Sequence, residues 1–176
     1  VDGRLTLGEN IADLGGVNTA YDALVAELAK KGGGDKINGI VGFNDLARKL
    51  DPADLPEVSW DYVYGTNMQH AMQLAQQMLA RETGTKQIIM ITDGKPSAIT
   101  MGNGQVYTNS GGMDAYILKE TFQQVAACRK SGIPINTFML AKDPYLAQFV
   151  RKMSEIARGK AYFTSTMSLG QHIMMD

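Results

Sequence analysis

The chain has 176 residues with 44% hydrophobic content, enough for one globular domain that buries a core. Seventeen basic and eighteen acidic residues leave a formal charge of -1, which speaks against a nucleic-acid surface or a polybasic membrane patch. The single Cys128 excludes an internal disulfide and reads as a buried apolar side chain. No apolar run approaches the roughly 20 residues of a membrane span, and the N-terminus lacks the order of a signal peptide. A cytoplasmic protein with no membrane partner is the expectation.

Arg4 to Leu7 can form a short strand, and Glu9 to Lys31 a helix offering Ile11, Leu14, Ala20, Leu24, Val25 and Leu28 for burial, weakened at Gly15-Gly16. The triple glycine at Gly32 to Gly34 marks a break. Ile40, Val41 and Phe43 read as a strand between Gly39 and the polar pair Asn44-Asp45. Val58, Trp60, Tyr62 and Tyr64 alternate with more polar neighbours, as in a half-buried edge strand or extended loop. From Asn67 to Arg81, the residues Met68, Ala71, Met72, Ala75, Met78 and Leu79 recur at helical spacing.

Ile88 to Ile91 is a continuous apolar run closed by Thr92-Asp93-Gly94, the pattern of a central strand covered on both faces. Ser97 to Asp114 contains Gly102, Gly104, Gly111 and Gly112 and is expected to be a long loop without regular structure. Ile117 to Arg129 returns to helical spacing, with Gly132 as its cap and Pro134 beyond. A strand from Ile135 to Leu140, a helix through Leu146, Phe149, Val150, Met153 and Ile156, and a short strand at Ala161-Tyr162-Phe163 follow. Ser168 can cap a last short helix. Alternating strands and helices predict an α/β fold: a doubly wound, mostly parallel, Rossmann-like sheet with helices on both faces.

Ligands of such sheets bind beyond the carboxyl ends of the strands, where Asp93 must lie. A hard cation such as Mg²⁺ takes carboxylates, hydroxyls and water. Asp93 offers the carboxylate and Thr66, in the loop that opens the helix, a hydroxyl. The structural alternatives are an N-capping Thr66 and a turn-capping Asp93. Gly102-Asn103-Gly104 follows no strand and no Gly-x-x-x-x-Gly-Lys occurs, so a phosphate-binding loop is not expected.

Tyr64-Gly65-Thr66-Asn67-Met68 followed by Gln87-Ile88-Ile89-Met90-Ile91-Thr92-Asp93-Gly94-Lys95-Pro96 resembles the later part of a metal-ion-dependent adhesion site (MIDAS) of the von Willebrand factor type A (vWA) family. The likeness continues through Asn136 to Leu140 and Arg158 to Thr164 and covers the chain from about residue 37 to its end. It implies a metal-dependent protein-binding module, not an enzyme, in which Thr66 and Asp93 hold Mg²⁺ or Mn²⁺ and the partner supplies an acidic group. The family's Asp-x-Ser-x-Ser motif occurs nowhere in the chain, so the resemblance implies an incomplete site and weak metal binding.

Gly3 to Gly16, with Glu9-Asn10-Ile11-Ala12-Asp13, resembles the neprilysin-like zinc metallopeptidases, and the likeness runs to about Gly39. It implies Glu9 as a zinc ligand and Asp13 as its support. The two histidines, His70 and His172, form no His-Glu-x-x-His motif, so bound zinc and peptidase activity are not expected. The chain therefore reads as chimeric, with a metallopeptidase-like segment over residues 1–39 that can supply the first strand and helix, and a vWA-like domain over residues 40–176. The alternatives to a binding module are an inactive metallopeptidase fragment and a structural α/β domain with a decayed metal site.

Overall fold

The computed structural model describes residues 37–57, 65–111, 113–140 and 142–163. Strand β1 (Ile40–Phe43) turns through Asn44, Asp45 and Leu46 and pairs antiparallel with β2 (Ala47–Leu50). Asn44 makes that turn: its Oδ1 accepts from the Leu46 N–H at 3.1 Å, an Asx turn. The polar pair that bounds β1 in the sequence is thus the hinge of a hairpin. A 3-10 helix at Pro52–Glu57 follows.

Helix α1 (Met68–Leu79) buries Met68, Ala71, Met72 and Leu79. It precedes β3 (Ile88–Thr92) and a short antiparallel hairpin of β4 (Ala98–Thr100) and β5 (Val106–Thr108). Helix α2 (Ala115–Lys130), β6 (Ile135–Met139), α3 (Pro144–Ala157) and β7 (Ala161–Phe163) complete the described chain. Strands β3, β6 and β7 form a parallel sheet in that order. The fold is α/β with a parallel sheet.

Residues alternate between the two faces of each strand. Met90, Ile135 and Met139 face a core to which α1 gives Met68 and Met72, α2 gives Val125 and Cys128, and α3 gives Leu146, Phe149, Val150 and Met153. Each fully buried side chain of this size contributes roughly 1.5–3 kcal/mol. The opposite face carries Ile89, Ile91, Leu140 and Tyr162 around buried Phe138, whose ring stacks on Tyr162 at 4.5 Å. All three described α-helices lie on the first face.

Two expectations are corrected. Residues 97–114 are not irregular throughout, because Ala98–Thr100 and Val106–Thr108 pair; Gly102 and Gly104 fall in the turn between them, where Gly104 takes a φ of +83° open mainly to glycine. Among the described residues β6, not β3, is the middle strand of the parallel sheet. β1 and β3 both adjoin α1, yet neither has a strand on its other edge among those residues. The elements expected at residues 4–7, 9–31 and 58–64 and the cap at Ser168 lie outside the described residues.

Candidate metal centre

Thr66 reaches the carboxyl end of β3 because its loop is held on three sides. Asn67 N–H donates to the Asn44 carbonyl at 2.6 Å, and its Nδ2 donates to the Asp45 carbonyl at 2.8 Å and to Thr100 Oγ1 at 3.0 Å. Thr66 N–H donates to Ser97 Oγ at 2.9 Å, and Ser97 N–H returns a bond to the Thr66 carbonyl at 3.1 Å. Gly65 lies against the β1–β2 turn, where an added Cβ would sit 2.6 Å from Asp45 Cβ, so only glycine permits this approach.

Asn67, not Thr66, caps α1: its Oδ1 accepts from the His70 N–H at 2.9 Å. An asparagine immediately before the first apolar position is itself an N-cap signal, and it outranks threonine. Thr66 therefore keeps its hydroxyl, and among the described residues Oγ1 has no hydrogen-bond partner. That oxygen lies 2.9 Å from the place of a Cβ on Gly94, next to Asp93. Thr92 shapes this second loop, its buried hydroxyl donating to the Gly94 carbonyl at 3.1 Å and accepting from the Gly94 N–H at 3.3 Å. Asp93 is exposed, and its carboxylate has no partner among the described residues.

Beside this pair, Lys95 Nζ lies 2.7 Å from Asp143 Oδ2 and 5.7 Å from the centre of the Tyr145 ring. Lys95, with the Leu146 N–H that Asp143 accepts as cap of α3, holds the Asp143 carboxyl below its usual range. The bridge ties the loop after β3 to the loop after β6. No sequence pattern marks Ser97 or Asn44 for holding the Thr66 loop, or Asp143 for its bridge to Lys95, since each of these contacts joins distant segments.

Of the predicted site residues, Thr66 places its Oγ1 beside Gly94, the chain neighbour of Asp93. No group of three or more His, Cys, Asp or Glu able to hold a metal occurs among the described residues. One carboxylate and one hydroxyl fit a hard, oxygen-seeking cation that keeps several waters, and they do not fit a zinc site of nitrogen and sulfur donors. Glu9 and Asp13 lie outside the described residues. His70 is a packing residue: its Nδ1 accepts from the Ala47 N–H at 3.0 Å, and burial lowers its pKa. Cys128 is buried in the core, which raises its thiol pKa, as expected for a structural cysteine.

Residues 19–176 match the vWA domain of Rv0959-like proteins. The chain belongs to this vWA family. The match begins at residue 19, inside the segment over residues 1–39 expected to be metallopeptidase-like, and no metallopeptidase family matches there to support that expectation. Uncharacterised proteins of Mycobacterium bovis and of two strains of Mycobacterium tuberculosis, Rv0959 among them, are 26% identical over 141 residues, covering 78% of this chain and 21% of theirs. The chain thus spans about a fifth of the length of the curated relatives it matches. Within the vWA domain, no helix among the described residues is long and apolar enough to cross a membrane.

Proposed function

We propose that this vWA domain is a non-enzymatic binding module that recognises an acidic group on a protein partner through a weakly held Mg²⁺ or Mn²⁺. The reading rests on one observation. The Thr66 hydroxyl and Asp93 carboxylate lie on adjacent loops at the carboxyl end of β3, and neither oxygen is engaged by another described residue. In that position Asp93 is the anionic ligand and Thr66 a neutral one, with water completing most of an octahedral shell. The cation supplies an open position and positive charge for a partner's carboxylate. Asn67 and Ser97 are positioning residues that hold Thr66 in place.

The donor set speaks for an incomplete MIDAS. β1 and β3 each have one edge without a strand partner among the described residues, which leaves room for a further strand. Glu9 or Asp13 would add a carboxylate if residues 1–39 supply that strand.

Calorimetric titration of Mg²⁺ and Mn²⁺ into the wild type, Asp93→Ala, Thr66→Val and Glu9→Ala tests the proposal. The expected result is binding weaker than micromolar, abolished in Asp93→Ala and reduced in Thr66→Val. Sub-micromolar affinity would contradict an incomplete shell, and unchanged binding in Asp93→Ala would leave a structural domain with a decayed site. Weakening in Glu9→Ala assigns that carboxylate to the site; no change removes Glu9 from it.

A further inference from the structure

At the amino end of the parallel sheet, opposite Thr66 and Asp93, a cleft of about 620 Å³ opens between the C-termini of α2 and α3. Its volume is within the range of roughly 300–1,000 Å³ common to ligand sites. The floor is apolar, made of buried Ile133 and Ala157 with partly buried Pro134 and Ile156. The rim carries Arg129, Lys130 and Arg158, all exposed, and no Asp or Glu among the described residues lines the cleft. None of the three cationic side chains has a hydrogen-bond or ion-pair partner among the described residues.

Cations at helix C-termini ordinarily offset the helix dipole, so magnitudes decide whether these do more. Two C-termini contribute about half a negative elementary charge each, against three positive side chains, leaving a surplus of about two positive charges. The chain as a whole is at -1, so this is a local concentration and not a general excess. Arg158 takes a left-handed φ of +56° at the cap of α3, a place that favours glycine. A cation is present there despite the steric cost of its Cβ.

We propose that this cleft docks an acidic peptide segment of a partner protein, with an apolar side chain on the Ile133–Pro134–Ile156 floor and carboxylates against Arg129, Lys130 and Arg158. A concave floor below a charged rim suits a protruding side chain, whereas a flat bilayer meets the rim alone. The site needs no metal and stands apart from the Thr66–Asp93 pair.

The test is amide chemical-shift mapping on the ¹⁵N-labelled chain without divalent metal. The probes are acetylated Glu-Glu-Leu-Leu-Glu-Glu, its Gln-for-Glu and Ser-for-Leu counterparts, and vesicles containing phosphatidylserine. The first peptide should shift the amides of Ile133 and Ala157 and lose affinity as salt rises. Both counterparts should bind about tenfold more weakly or less, as should R129Q/K130Q/R158Q, while R129K/R158K retains binding. Unaltered binding in the triple variant, equal binding of the Ser peptide, or vesicles that shift the same amides as strongly as the peptide would overturn the proposal.

Discussion

A single side-chain exchange of roles makes the candidate site possible. Because Asn67 takes the cap of α1, Thr66 is left with a hydroxyl next to Gly94 that no other described residue engages. Asn67 is fully buried, and its Oδ1 and Nδ2 bond to His70, Asp45 and Thr100. Asn67→Ala should therefore cost about 1–3 kcal/mol in chemical denaturation. His70 gives the fold a pH dependence of definite sign. Burial lowers its folded pKa from 6.5, and Nδ1 must stay unprotonated to accept from Ala47. As pH falls, the unfolded chain takes up this proton first, so the contribution is complete above the unfolded value and declines as pH drops through 6.5 towards the folded value. The urea midpoint should fall between about pH 7.5 and about pH 5.5, and His70→Gln should flatten that fall. The depressed Asp114 and Asp143 act in a separate window, losing their contributions as pH falls through 3.8 and below.

Elements were legible where burial is periodic. α1 and α3 show helical spacing of Met68, Ala71, Met72 and Leu79, and of Leu146, Phe149, Val150 and Met153, and all eight are buried. The β4–β5 hairpin was hidden because its three-residue strands are shorter than the periodicity needs, and glycines crowd its turn. β2 was hidden for another reason: exposed Arg48 and Lys49 occupy the middle of a four-residue strand and leave no alternation to read. In β3, Met90 is buried by the helices whereas Ile89 is only partly buried on the other face. Met90→Ala should cost about 2–5 kcal/mol, and Ile89→Ala less. Equal losses would mean that both faces are equally covered. Gly159 follows α3 so closely against β6 that a Cβ would overlap the Ile135 carbonyl. Gly159→Ala should destabilise by roughly 1–3 kcal/mol on denaturation.

At the scale of the whole molecule, the sequence pattern gives the parallel strands, the helices between them and the placing of Asp93, since a strand followed by Thr-Asp-Gly must present its turn at the carboxyl end. It cannot give the clasp of Asn44, Ser97 and Asn67 around Thr66, which joins segments some 20 to 30 positions apart by single hydrogen bonds. The two ends of the sheet differ in chemistry: among the described residues, oxygens without partners lie at the carboxyl end, and cations without partners lie over an apolar floor at the amino end. Paramagnetic broadening by Mn²⁺ tests most directly whether a cation binds at the carboxyl end. At substoichiometric Mn²⁺ the amide resonances of residues 65–67 and 92–95 should broaden first in the wild type and remain sharp in Asp93→Ala. Broadening that begins elsewhere, or persists at these amides in Asp93→Ala, would contradict a cation site at Thr66 and Asp93.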